Sequence, residues 1–467
     1  RELSAALSPV AGLRVVDMGD GRSRGVSLRG LPTDRVAILV DGRLLNTAQG
    51  GGVDLGPLDL ESLDRIEILR GAMGALYGPE ALGGAVNLVR REDRAPVSAL
   101  RLMGGTEGHG LLRAATGWQS GRWTVEGTAR AETSAPRLDG LRSDASGGGI
   151  RARGAYHPLW AAAIETAVER RRDRRDVPGS RAFPTPGAQR EDDFTEIVLG
   201  MRGVSAAGLP GSLDLDASAS RLTRRFDDPA NPLGAVADRH ENRRARLAAS
   251  WRDTLGRGDV TARAEGIADR LQSSTDGDLS RGRGSFALLL TQGRRRWGGS
   301  LALRADAVEG FAPRATLRGS VARTLQGEAG SSRWVALRAG AGTSFRPPTF
   351  DDLFWPARAS AAGNPDLQPE RARDLDLAME ARRDGSRAQV TLFHSEVSDL
   401  IQWTPGPDAV WRPHNMLTAR IRGVEAEASA GLREMGLPSR MAGLPMPAWL
   451  DAAIGFLDAR DRSGGTV

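Results

Sequence analysis

The sequence predicts a small α+β unit over residues 1–93 followed by a long antiparallel all-β region over residues 94–467. Before about residue 93, short mixed elements are punctuated by glycine. Beyond it, apolar and polar side chains alternate with a period of two over segments near the ~9–11 residues that a tilted strand needs to cross hydrocarbon. The polar positions carry Arg, Asp and Glu almost without a break, while the apolar positions are mostly Ala, Leu and Val. A soluble sandwich alternates too, but residues this small give it little bulk for a core. A transmembrane barrel, with water on one face and lipid on the other, fits better. Against it, 10 Trp, 10 Phe and 2 Tyr are few for the aromatic girdles of such a barrel.

Each element has a local reason. Arg1-Glu2-Leu3-Ser4-Ala5-Ala6-Leu7 reads as the inside of a helix. Val36–Val40 is a continuous apolar run, as in a buried strand, and Asp41-Gly42 turns it back. Leu58–Leu63 reads as helical, with Asp59, Glu61 and Asp64 in its polar positions. Arg65–Leu69 alternates as a strand, Gly71–Tyr77 makes a helical turn that Gly78-Pro79 stops, and Gly83-Gly84 allows close backbone approach before the strand Ala85–Val89. In the second region, Trp123, Val125, Gly127 and Ala129 alternate with charged and hydroxyl neighbours. So do Leu213–Ala219, Leu301–Ala307, Ala315–Val321, Leu375–Ala381 and Val424–Ala430. About 17 such strands follow one another, roughly 22 residues apart, joined by alternately short and long connectors. The long connectors include Asp173–Asp193, Asp227–Arg239 and Phe350–Pro369.

Composition excludes most catalysts. All 64 basic residues are Arg, because the chain has no Lys, and it has no Cys. A phosphate-loop lysine, Schiff-base chemistry, a thiolate nucleophile, Cys-ligated metals and disulfides are therefore ruled out. The five His never fall at metal-ligand spacing, and no nucleophile–base pair is legible, so an enzyme is not expected. No apolar run approaches the ~20 residues of a spanning helix. The net charge of +6 is small against 64 basic and 58 acidic groups. The densest basic cluster, Arg170–Arg175, is broken by Asp173 and reads as a solvated loop, so no nucleic-acid partner is expected.

The glycine-punctuated unit decides between barrel and sandwich. Val26–Gly30, Val36–Asn46, Ile66–Gly71, Ala75–Gly78 and Ala81–Leu88, in that order and spacing, resemble the plug domain of TonB-dependent outer-membrane receptors. A second block is similar to the late-barrel signatures of the same family: Gly342-Thr343-Ser344-Phe345-Arg346-Pro347-Pro348, Gly363–Glu370 and Arg420–Glu425. Gly50–Leu55 and the loop Pro178-Gly179…Pro184-Thr185-Pro186 tilt the likeness toward the cobalamin-receptor-like branch. The resemblance implies an all-β transmembrane barrel with plug domain 1–93 inside the lumen of barrel 94–467. About 17 of the family's 22 strands are legible, and an odd count does not close an all-antiparallel ring. The chain is therefore expected to be a fragment lacking both ends, including the segment that meets TonB.

The same resemblance implies a function and a set of residues. The protein would sit in the bacterial outer membrane and import a large scarce chelate, cobalamin or another corrinoid first. A ferric siderophore is the alternative cargo, and a passive porin-like channel, which has no use for a plug, is the alternative class. Partners would be the chelate, outer-membrane lipid and the TonB energy-transducing complex; no catalytic cofactor is needed. Ligand contacts would come from the apical plug loops Gly19-Asp20-Gly21-Arg22-Ser23 and Asn46-Thr47-Ala48-Gln49-Gly50, whose amide and backbone groups suit an amide-rimmed ligand. Two plug arginines, Arg29 and Arg70, would pair with Asp376 and Glu425 on the inner barrel wall. Asp173, Asp176, Asp192 and Asp193, flanking one outer loop, make a possible calcium site.

Overall fold

The computed structural model describes the chain apart from residues 1–2, 19–22, 92–97, 136, 139–140, 180–183, 186, 206–207, 209, 232–233, 329–330, 358–359, 416–417, 432–439, 442–443, 446–448 and 462–467. In the N-terminal unit, a short helix Leu3–Leu7 leads to the antiparallel pair Leu13–Asp17 and Arg24–Leu28. A four-stranded sheet follows in the order Arg43–Leu44, Val36–Val40, Gly84–Arg90, Leu63–Arg70, with its central pair parallel. The parallel pairing explains why Val36–Val40 is apolar throughout: all five residues are buried. Val36, Ile38, Val86 and Leu88 pack with Leu7, Leu28 and Leu55 into one core. The helix expected at Leu58–Leu63 is only the 3-10 turn Leu60–Ser62. Asp59 caps it by accepting from the Glu61 N–H, and Leu63 already begins the next strand. Gly84, at φ +144°, meets the expected close approach, since a Cβ there would lie 2.3 Å from the Leu69 carbonyl oxygen.

Among the described residues, seventeen strands from Ala99–Gly104 to Trp449–Asp461 form one closed barrel, and its length agrees with the count read from periodicity. Each strand runs antiparallel to its predecessor, so the first and last point the same way. The odd ring closes because that one junction is parallel, which an all-antiparallel count does not allow for. The choice between barrel and sandwich is settled by which way the strands face. In Trp297–Val308, Leu301 and Leu303 are exposed while Arg304 and Asp306 are only 9% and 5% exposed. Round most of the ring polar residues point inward and apolar residues outward, the inverse of a water-soluble protein; Ala372, Phe393 and Ile421, which meet the plug, are exceptions.

The two rims differ. At one, hairpins close through the pairs Gly121-Arg122, Gly256-Arg257, Arg295-Arg296 and Asp384-Gly385. At the other, connectors run to 177–188, 347–369 and 399–417, so this is the outer rim. Some of the scarce aromatics line the short-turn side. Trp118, Trp123, Trp160 and Trp297 are exposed beside those turns, and Trp123 and Tyr156 stack at 4.6 Å, which makes a partial belt at one membrane interface. Two expected loops are in part strand: Ala163–Asp176 and Gln189–Val204 shorten the first, and Ser212–Asp228 and Val236–Leu255 shorten the second.

The N-terminal unit fills the lumen. Its side chains reach the wall in every direction, from Arg101 and Arg113 on the first two strands through Glu169 and Arg283 to Glu425 and Glu427. It is a plug.

Candidate functional site

The plug–barrel seam holds the densest charge chemistry. Arg29 sits at the end of a plug strand with φ 49°, which turns its side chain out toward the wall. Its Nε and Nη2 donate to the two carboxylate oxygens of Glu425 at 3.0 and 2.9 Å, and its guanidinium lies 3.9 Å over the Phe393 ring. Both partners are buried, so losing one half of the fork strands a charge and costs far more than breaking a surface pair. Arg70 bonds mainly to Glu427, one inward step further along the same strand, and stands 3.9 Å from Glu425. Glu427 also accepts from the Ala11 N–H at 3.0 Å.

Asp376 does not join this group. Its carboxylate accepts from Arg318 at 3.0 Å, and Arg318 also donates to the Ala72 carbonyl of the plug. The acid that meets the plug is Asp374, two residues earlier on the same inward face. A Cβ at Gly71 would lie 2.1 Å from its Oδ2, and neither carboxylate oxygen has a hydrogen-bond partner. The expected position was thus one inward step too far along the strand.

A second buried network was not anticipated. Arg35 donates to Glu370 at 2.7 Å and to both oxygens of Asp34 at 2.8 Å. From the barrel, Arg346 donates to Asp34 at 2.8 Å and to Glu370 at 3.1 Å. Two arginines and two carboxylates close a neutral ring across the seam, and Glu370 takes a further bond from the Ile401 N–H. Burial opposes the charge on Asp34, but the guanidiniums of Arg35 and Arg346 outweigh it and hold the carboxyl below its ordinary range. The signal was present: Arg346 and Glu370 belong to the two late-barrel motifs, at the end of one strand and the start of the next.

The apical loops divide by role. Asn46 is buried, and its amide is spent on the plug itself. Its Oδ1 accepts from the Ile38 N–H at 2.8 Å, and its Nδ2 donates to the Val36 and Gly51 carbonyls at 2.9 and 2.7 Å. It braces the loop instead of facing a ligand. Gln49 bridges to the wall, accepting from Asn242 Nδ2 at 2.9 Å, and its carbonyl accepts from the Asp351 N–H. Gly50 is exposed beside Asp351. Thr47 and Ala48 do line an outward-opening cleft of about 940 Å³, solvent at its mouth included, opposite Arg224, Asn242 and Phe350. Ser23 is buried, its hydroxyl accepting from Arg175 at 2.9 Å. Gly19, Asp20, Gly21 and Arg22 lie outside the described residues.

The calcium reading finds no cage. Asp173 pairs across strands with Asp192, whereas Asp176 and Asp193 fall on the opposite face of their strands, because neighbouring side chains alternate. Asp192 is held by Arg190 and Arg224, and Asp193 by Arg170. Among the described residues no three His, Asp or Glu gather as a metal site.

Fold and seam together define a plugged transmembrane β-barrel. A family model described as "TonB-dependent Receptor Plug Domain" matches residues 1–85, and one described as "TonB dependent receptor-like, beta-barrel" matches residues 104–466. The chain belongs to the TonB-dependent receptor family and is an outer-membrane protein. It is 24% identical over 483 residues to the protein named vitamin B12 transporter BtuB of Photobacterium profundum, a match covering 99% of this chain and 73% of that one. Among solved structures it is similar to copper transporter OprC, with a TM-score of 0.78 and 16% identity over 98% of this chain and 77% of that one. It is also similar to a mutant of the ferric enterobactin receptor PfeA of Pseudomonas aeruginosa, with a TM-score of 0.73 and 15% identity over 92% and 75%.

Proposed function

We propose that this receptor imports a corrinoid, cobalamin first, drawing on the TonB complex to rearrange the plug. The observation that carries the reading is the sequence match, over 99% of this chain and 73% of the relative, to a protein named as a vitamin B12 transporter. The apex supports it: Thr47 and Ala48 present a hydroxyl and a methyl over an open cleft, next to the amide of Asn242 and the guanidinium of Arg224. Such a surface can meet a broad ligand with amides at its edge. Gly19, Asp20, Gly21 and Arg22 complete the proposed contact set with Ser23 at its border.

A ferric siderophore is the second reading, favoured by the architecture shared with the ferric enterobactin receptor. Titration of the purified receptor with cyanocobalamin and with ferric enterobactin separates them. Saturable cobalamin binding that weakens in Thr47→Trp supports the first reading. Binding of the ferric chelate alone replaces it with the second.

A further inference from the structure

We propose that cargo passes along the wall formed by Ala145–Tyr156 and Ala163–Asp176, and that the ion pair of plug Arg90 with wall Glu169 is the gate on that route. The proposal rests on the import reading for its purpose, and on three observations for its place.

The plug is held unequally. Toward the strands Glu370–Arg383, Ser386–Ser398 and Thr418–Gly431 the seam is dry: Leu31, Ala72 and Leu82 pack on Ala372, Phe393 and Ile421. The buried forks to Glu370 and Glu425 lie on the same side. Across the lumen, no apolar cluster joins plug to wall among the described residues. Contact with Ala163–Asp176 is made by charged pairs, Arg90 to Glu169 and Asp54 to Arg175. Separated charges regain hydration, which offsets the lost attraction, whereas a parted apolar seam exposes its surface to water uncompensated, so this is the wall from which the plug parts first.

Two voids line that wall. The outer one, about 2590 Å³ with its open mouth included, separates the plug segment 55–63 from the wall and reaches Thr106 and His109 at the outer rim. The inner one, about 1030 Å³, runs from Asp41 and Arg43 of the plug to Arg202 and Arg252 near the short-turn rim. Arg151 lines both.

The partition between them is thin and charged. Arg90 faces the outer void and Asp41 the inner one, joined by the Arg90 N–H donating to Asp41 Oδ1 at 2.8 Å, and the Arg90 side chain bonds to Glu169. Releasing Arg90 from Glu169 would connect the voids from rim to rim.

The chain lacks cysteine, so introduced thiols report without background. Ala167→Cys, on the same face as Glu169, marks the inner void, Thr106→Cys the outer void, and Ser395→Cys the opposite wall. Cells bearing each are treated from outside with a membrane-impermeant sulfonated methanethiosulfonate, in the parent and in Arg90→Gln/Glu169→Gln. Thr106→Cys should react in both. Ala167→Cys should react at least ~10-fold faster in the Gln/Gln background, with Ser395→Cys unchanged. Arg90→Met gives a second background should the double variant fail to assemble. Equal Ala167→Cys rates with and without the pair, or a matching rise at Ser395→Cys, overturns the proposal. The labelling needs neither cargo nor an energy source, so its failure is separable from a failure of import, which binding decides.

Discussion

The Arg29–Glu425 fork offers the sharpest quantitative test. Its two bonds are 3.0 and 2.9 Å long, and the side chains are only 5% and 3% exposed. Removing one half of such a pair leaves a stranded charge, at a cost of about 3–5 kcal/mol. Two neighbours temper this: Arg70, 3.9 Å from Glu425, shields the acid when Arg29 is lost, and Asp374 takes up part of the Arg29 charge when Glu425 is lost. We therefore expect Arg29→Ala and Glu425→Ala each to cost about 3 kcal/mol, and the double variant little more than either. The coupling is then about 2–3 kcal/mol, or roughly 30- to 150-fold in an equilibrium. The assay is hydrogen exchange of plug residues 24–31, where Arg29 N–H bonds to the Gly12 carbonyl and Leu28 N–H to that of Leu31. Additive effects, with coupling below ~0.5 kcal/mol, would show that the fork does not hold the plug.

Three further outcomes are expected. Burial, with the charges of Asp276 and Asp352, pushes the Asp351 carboxyl up to about 7 against the bond from Gln49 and the charge of Arg224. The folded state then binds a proton that the unfolded chain, near 3.8, has released, so the contact between the helix Phe350–Phe354 and the plug apex weakens as pH rises from about 4 to 7 and is level beyond. Exchange of residues 348–355 at pH 5.5 and 8 should show this, and Asp351→Asn should abolish the difference. Asn46→Ala should destabilise the plug by about 2–4 kcal/mol, read by exchange of Val36–Val40, while the folded fraction keeps its cargo affinity. Gly71→Ala should impair assembly, because φ is +88° and the new Cβ would strike Asp374; Asp374→Ala should restore all but the backbone strain of about 1 kcal/mol.

The barrel was legible because strand periodicity is local: one inward residue in two fixes the face of Leu301, Arg304 and their neighbours. The plug was legible because glycine at positions such as Gly84 has a steric reason that leaves its mark on sequence. Loop ends were less so, since Ala163–Asp176 and Gln189–Val204 continue as paired strands through charged residues that read as a solvated connector. Pairing across the seam was least legible of all. The fork from Arg29 to Glu425 spans nearly the whole chain, and a two-residue shift exchanges Asp374 for Asp376 without altering any local pattern. Asn46 shows the same limit, because nothing in its own sequence says whether an amide at a loop turns out to a ligand or in to its own backbone.

The exclusive use of arginine along this lumen reaches beyond pairing geometry. A guanidinium keeps its proton far into alkali, so the cationic half of every lock between stopper and cylinder is permanent, and only the carboxylate half can be switched off. No side chain in the chain offers a primary amine, so acylating reagents and acetyltransferases alike find nothing on these side chains to neutralise.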